Sequence, residues 1–186
     1  MPMDALTALQ TRVSAPRVKA PAPDRQTLEQ IFRAAFRTAD HGMLKPWRFL
    51  VIQGDSLQRL GDLFAEAARA SNPQISDLEI ASIRSKALRA PLIVVGIACP
   101  KPNPKVPESE QLLSAGGALQ NMLNAAYALD VGAVWRTGPM ATHPVVTRGL
   151  GLTDTETLIG FVYMGTIDGV LRKLPDEPVE AFVKDW

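Results

Sequence analysis

Side chains capable of covalent or metal chemistry are scarce in this chain. Its 186 residues include two histidines, His41 and His143, and one cysteine, Cys99. The histidines lie far apart in sequence, and no Cys/His spacing resembles a zinc site. No Gly-x-Gly-x-x-Gly, Gly-x-x-x-x-Gly-Lys-Ser/Thr or Gly-x-Ser-x-Gly run is present, which leaves the dinucleotide turn, the P-loop and the nucleophile elbow unsupported. Cys99 stands just before Pro100 with no base beside it in sequence, the setting of a buried structural thiol. If the chain is an enzyme, the difficult step therefore falls to a bound organic cofactor.

Three clusters offer polar groups to such a ligand. Arg12-Val13-Ser14 sits where a helix gives way to a connector. Its forked guanidinium and hydroxyl suit a phosphate, although a helix-end arginine also serves as plain surface. Residues 37–47 read Arg-Thr-Ala-Asp-His-Gly-Met-Leu-Lys-Pro-Trp, a loop running into a strand that opens on an aromatic residue. Trp135-Arg136-Thr137-Gly138 closes another strand, at a place where loops commonly open a crevice for a ligand; core packing is the other use of a lone Trp.

Composition narrows the class of protein. Hydrophobic residues make up 46% and charged residues 21% of the chain, so neither a disordered nor a fibrous class fits. The length predicts one compact domain over residues 1–186. A net charge of +1 gives no electrostatic reason to bind nucleic acid or an anionic membrane. The single cysteine fits a reducing cytoplasm, and the N-terminus does not read as a secretory signal. Residues 1–48 hold eight Lys/Arg against four Asp/Glu, whereas residues 154–186 hold three against seven. An anionic ligand would favour the N-terminal third, or the asymmetry is solvated surface.

These clusters must be carried by regular elements. Asp4 caps a helix to residue 12 and Asp24 caps a second with Leu28, Ile31, Phe32 and Ala35 on one face. Between them, residues 14–23 carry three prolines and form an extended connector. Residues 38–46 are a loop, and 47–52 a strand that turns at Gly54-Asp55. Ser56 caps a third helix bearing Leu57, Leu60, Leu63 and Phe64, and a further helix covers residues 77–88. The run 92–98 is apolar throughout and predicts a strand buried on both faces. A proline-rich loop leads to a long helix over 108–129, about 33 Å in length. Residues 111–129 lack a formal charge, but Gln111, Gln120, Asn121 and Asn124 would be costly in lipid, so the helix is read as buried in protein. Strands at 131–136 and 158–165 and a short helix at 144–150 complete the order. The pair Gly116-Gly117 inside the long helix implies internal packing or the close approach of another backbone or a flat ligand.

Taken in order, several segments resemble the nitroreductase family. They are Met3-Asp4-Ala5-Leu6 leading to Arg12-Val13-Ser14, Arg37 with Asp40-His41, and Pro46-Trp47-Arg48-Phe49. The likeness continues through Arg89-Ala90-Pro91-Leu92-Ile93, Lys105-Val106-Pro107, Ser114-Ala115-Gly116, Trp135-Arg136-Thr137-Gly138 and Gly160-Phe161-Val162-Tyr163-Met164-Gly165. The set spans nearly the whole chain and is similar to the compact branch of NAD(P)H nitroreductases.

That resemblance implies an α+β, nitroreductase-like fold: a central, mostly antiparallel sheet flanked by helices. It also implies a homodimer with FMN at the subunit interface. By the same resemblance Arg12, Val13 and Ser14 hold the flavin phosphate and ribityl chain, Val13 through its backbone alone. Arg37 and His41 reach the flavin of the partner subunit, and Trp135, Arg136 and Thr137 approach it from the other side. Arg172 or Lys173 completes the phosphate site. Lys45 stands where many relatives have Gln. The expected activity is FMN-dependent NAD(P)H oxidoreduction of nitroaromatics, quinones or a related acceptor by ping-pong hydride transfer. A dehalogenase-like or flavin-fragmenting relative, or a non-catalytic flavin-binding dimer, is the alternative. The small residues of the long helix, 114–118, offer a surface on which two subunits could pack.

Overall fold

The computed structural model describes residues 3–186. Helix α1 (Ala5–Thr11) is capped by the Asp4 carboxylate, which accepts the Leu6 and Thr7 N–H groups at 3.1 Å each. Helix α2 (Arg25–Ala35) is capped by Asp24, which accepts the Thr27 N–H at 2.7 Å. Both caps satisfy amide donors that a first helical turn leaves unpaired. Strand β2 (Trp47–Gln53) is followed by α3 (Asp55–Ser71). Here the expected Ser56 cap is corrected. The helix begins two residues earlier, after Gly54 at φ 57°, with no side-chain cap. The reversal needs a left-handed residue at the junction, and glycine supplies it at low cost.

Helix α4 (Asp77–Ser85) opens with a reciprocal capping box between Ser76 and Glu79 and runs into a 3-10 turn, Lys86–Leu88. Strand β3 (Leu92–Ala98) is buried at every position, as its sequence implied. Helix α5 (Glu108–Ala128), strand β4 (Gly132–Arg136) and strand β5 (Thr157–Ile167) lie close to their expected bounds. Two short helices separate those last strands, α6 (Pro139–Thr142) and α7 (Pro144–Gly149), of which α6 was not foreseen. The connector 14–23 also contains a two-residue strand, β1 (Val18–Lys19). The loop 38–46 contains a 3-10 turn, His41–Met43.

All the sheet pairings are antiparallel. β2 pairs with β3, β3 with β5, and β5 carries both β4 and β1 along its other side. Alternation along β3 and β5 then sorts the core into two layers. Ile93, Val95, Phe161 and Tyr163 face α3 and α7, with Leu60 and Phe64. Leu92, Val94, Val162 and Met164 face α2 and α5, with Ile31, Leu119 and Met122. Helices therefore cover both faces of one sheet, an α+β arrangement.

The small residues of α5 serve this core. Ala115 and Ala118 are fully buried within their own chain. A Cβ on Gly117 would collide with Thr38 Oγ1, and Ser114 Oγ donates to the Ala39 carbonyl at 2.9 Å. The close approach is made by the chain's own loop after α2. Ala115 and Ala118 are thereby used inside the chain, whereas Ser114, Gly116 and Gly117 keep part of their surface. Gln111, the buried amide of this helix, is satisfied by the loop before it. It donates to the Lys101 and Val106 carbonyls at 2.9 and 3.2 Å and accepts the Lys101 N–H at 2.8 Å. Among the described residues, no helix is long and apolar enough to cross a membrane.

Candidate functional site

The first and third sequence clusters meet at the free side of β4. Ala15 N–H donates to the Ala133 carbonyl at 2.9 Å, which lays the segment after α1 alongside the strand. Arg12, Val13 and Ser14 then line a cavity of about 390 Å³ together with Pro16 and Arg172. Lys173 lines a neighbouring cavity instead, next to Tyr127. Of the two C-terminal basic residues, Arg172 is thus the one beside Arg12 and Ser14.

Pro16 is also the bridge to the strand end. Its carbonyl accepts an N–H from Arg136 Nη2 at 3.1 Å. Beyond it lies a second cavity of about 510 Å³, bordered by Trp135, Arg136, Thr137 and Gly138. Register places the side chains of β4 on opposite faces. Trp135, opposite Val162, packs in the α5 layer and donates from Nε1 to the Ile159 carbonyl at 3.1 Å. Gly160 makes room for it, since a Cβ there would overlap the indole nitrogen. Arg136, opposite Phe161, lies on the other face with its guanidinium 5.7 Å from the Tyr163 ring centroid.

Charge in this second cavity is one-sided. Lys86 and Arg89 line it with Arg136, and among the described residues none of the three has a carboxylate partner within 4.0 Å. Arg136 Nε is buried with no hydrogen-bond partner, an expensive state for a guanidinium. Tyr163 does not supply the missing negative charge. Burial raises its phenol above the usual range, while Arg136 and Arg89 pull it down less strongly. The arrangement suits an anionic, flat ligand bounded by aromatic walls. Arg89 carried no role in the sequence beyond its family-like segment and Lys86 none at all; their spacing of three, which places both on one side of a 3-10 turn, is the signal that could have found them.

The second sequence cluster stands elsewhere. His41 lies against the first turn of α5, its Nδ1 2.7 Å from Glu110 Oε2. Arg12 flanks the opposite end of that helix, where Tyr127 Oη donates to Thr11 Oγ1 at 3.2 Å. Those positions are about 25 Å apart along α5. Within one chain, neither Arg37 nor His41 lines the cavities of Arg12 and Arg136.

Cys99 belongs to a separate cluster at the far end of β3. Its thiol donates to Glu156 Oε1 at 3.1 Å. Arg48 grips the same carboxylate through Nε and Nη2 at 2.6 and 2.7 Å. That pairing, with the Thr153 N–H, holds the Glu156 carboxyl down at about 2. Burial, then the contact with Glu156, pushes the Cys99 thiol up to about 11. A carboxylate so stabilised is too weak a base to activate a thiol so raised, and Cys99 is a structural thiol, as its sequence setting implied.

Comparison with known proteins bears on the family and the fold. The profile described as "Nitroreductase family" matches residues 10–166. An Escherichia coli K12 protein named "Putative NAD(P)H nitroreductase YdjA" is 39% identical over 164 residues, covering 88% of each chain. The solved structure of a nitroreductase-like family protein from Bacillus cereus superposes with a TM-score of 0.82 at 20% identity, over 99% of this chain and 96% of that one. A Desulfovibrio desulfuricans "putative nitroreductase in complex with fmn" superposes at 0.75 and 22% identity, over 100% and 98%. With the family profile spanning most of its length and a relative at this identity, the chain belongs to the nitroreductase family.

Proposed function

We propose that this chain is an FMN-dependent NAD(P)H oxidoreductase that reduces nitroaromatics, quinones or a related acceptor as a cytoplasmic homodimer. The observation that carries the reading is the pair of adjoining cavities lined by cations and free of carboxylate partners, with the buried Arg136 Nε left unpaired. FMN fits that donor set at both ends. Arg12, Ser14 and Arg172 would hold the phosphate dianion through charge-assisted hydrogen bonds. Lys86, Arg89 and Arg136 would favour the negative charge that reduction places on the ring system. Trp135, Thr137 and Gly138 would orient it at the strand end.

When bound, FMN would supply two-electron hydride chemistry between NADH or NADPH and the acceptor, the two reacting in ping-pong order. The protein needs no nucleophile for this, in keeping with the state of Cys99. The dimer is supported by the distance between the two ends of α5, which leaves Arg37 and His41 to serve a second copy. Further support comes from apolar side chains left exposed on the C-terminal segment, including Leu174, Phe182 and Trp186. Such exposure is unusual for a monomer.

Two measurements test the reading. FMN-loaded protein bleached anaerobically by NADH or NADPH should recover its colour when a nitroaromatic or quinone is added. Protein that takes up no FMN, or stays oxidised with both nucleotides, overturns it. FMN should also tighten dimerisation, because a ligand bound only by the dimer stabilises it by about 2.7 kcal/mol per site at a hundredfold excess over Kd. Sedimentation over a dilution series reads this directly, and a monomer binding FMN at full affinity would remove Arg37 and His41 from the site.

A further inference from the structure

The loop carrying His41 is held more firmly than its exposure requires. Asp40 accepts the Leu44 and Lys45 N–H groups at 3.2 and 2.8 Å through its two carboxylate oxygens. Ser114 ties the Ala39 carbonyl to α5, and Lys101 Nζ donates to the Leu44 carbonyl. Within this frame Gly42, Met43 and Lys45 all lie in the left-handed region, at φ 75°, 53° and 49°. For Met and Lys that conformation is unfavourable and persists only where the surroundings impose it.

The frame delivers His41 to Glu110, 69 residues away, at 2.7 Å. Both side chains are about half exposed, at 58% and 46%, so the contact itself contributes little to stability. Its consequence is orientational. An ionised carboxylate has no hydrogen to give, so the shared hydrogen sits on Nδ1. The other charged residues of the segments that meet here are Arg37, Asp40 and Lys45 of the loop, Lys101 and Lys105 of the segment before α5, and Glu108 of the first turn of α5. Asp40 is committed to backbone amides and Lys101 to a carbonyl, and Glu110 is the carboxylate in contact with the imidazole.

We propose that Glu110 is a positioning residue: it fixes His41 as the Nδ1–H tautomer, so that Nε2 presents a lone pair to a hydrogen-bond donor of FMN held by a second copy of this chain. The inference rests on the flavin-dimer reading and assigns a residue that reading does not use. The partner group is an N–H or hydroxyl of the ligand, because a neutral imidazole with its hydrogen on Nδ1 accepts at Nε2.

Nitrogen-15 NMR of the apo protein, at a pH where His41 is neutral, should show the Nδ1–H form. In Glu110→Leu the signal should move toward the Nε2–H form. FMN titration should show Glu110→Leu weakened about fivefold, the loss of one hydrogen bond. Glu110→Gln, whose side-chain carbonyl still accepts from Nδ1–H, should stay within about twofold of wild type. Added to His41→Ala, Glu110→Leu should cost nothing more, because the two act as one unit. An unchanged tautomer in Glu110→Leu, a Glu110→Gln as weak as Glu110→Leu, or additive losses in the double variant would each overturn the assignment. A wild-type chain that binds no FMN sinks the flavin reading and the Nε2 role together, whereas FMN binding with an unmoved tautomer sinks the Glu110 role alone.

Discussion

Arg48 and Arg136 each project from a strand of the same sheet, yet their surroundings are opposite. Arg48 meets Glu156 through two short hydrogen bonds and the Gly151 carbonyl through a third at 3.1 Å. The Glu156 carboxylate in turn receives the Thr153 N–H and the Cys99 thiol. Arg136 has one carbonyl and the face of Tyr163, with Nε buried and unpaired. A charge whose partners come from its own chain is spent on the fold. One left short of partners in a cavity, beside two further cations without a carboxylate partner among the described residues, is on the proposed reading held for something that arrives from outside.

That contrast makes opposite demands on two similar substitutions. Arg48→Met should lower the free energy of unfolding by about 2–3 kcal/mol, since it strands a largely buried carboxylate on a site whose arginine is one-third exposed. FMN affinity should be unchanged. The acid dependence follows the Glu156 carboxyl, whose value in the folded chain lies near 2 against an ordinary 4.5. Its stabilising contribution is fully present above about 4.5 and is lost as pH falls toward 2. Chemical denaturation across that window should show the loss in the wild type and a flatter profile in Arg48→Met. An Arg48→Met protein that keeps wild-type stability would break the comparison on this side.

On the other side, Arg12→Ala should weaken FMN binding ten- to a hundredfold, about 1.5–3 kcal/mol for a charged hydrogen bond to phosphate, while the apo protein melts as the wild type does. Arg136→Met should also weaken FMN binding. Apo stability should stay within about 1 kcal/mol of wild type or rise, because an unpaired buried guanidinium has been removed. Thermal melts with and without FMN separate the two effects. Destabilisation of apo Arg136→Met by as much as Arg48→Met would mean that Arg136 is a structural residue after all.

The same contrast explains what the sequence disclosed. Features set within a few residues were legible: the Asp4 and Asp24 caps, the fully buried run of β3, and polar segments at 12–14 and 135–137 that border cavities. Features set by approach across the chain were not. Val18 and Lys19 become a strand only because the end of β5 lies beside them, and the start of α3 depends on the backbone of Gly54 rather than on the hydroxyl of Ser56. Lys86 and Arg89 come to line a cavity only because α3, β4 and β5 enclose one next to them. The carboxylate that meets Cys99 is 57 residues away, beyond anything spacing could suggest. Of the Gly116-Gly117 pair, Gly117 takes the close approach of Thr38 from the same chain, whereas a Cβ on Gly116 would meet only the edge of Trp135 at ordinary contact distance.

Cys99 gives the smallest effect and the sharpest check on the satisfied cluster. Removing its thiol in Cys99→Ala deletes one weak donor to a carboxylate that retains Arg48 and the Thr153 N–H, so stability should change by less than about 1 kcal/mol. The thiol itself should be sluggish. With its value raised from 9.0 to about 11, only about one molecule in a thousand carries a thiolate at pH 8, and alkylation should run roughly a hundredfold slower than for an unperturbed cysteine. Folded stability linked to this group is complete below about pH 9 and declines as pH rises toward 11, because the unfolded thiol ionises first. In Arg48→Met the carboxylate loses its main counter-charge and becomes a stronger acceptor for the S–H, so the thiol should react no faster. Rapid alkylation of the wild type at pH 8 would show that the cluster is not closed on itself, and the distinction between a spent arginine and a waiting one would then rest on Arg136 alone.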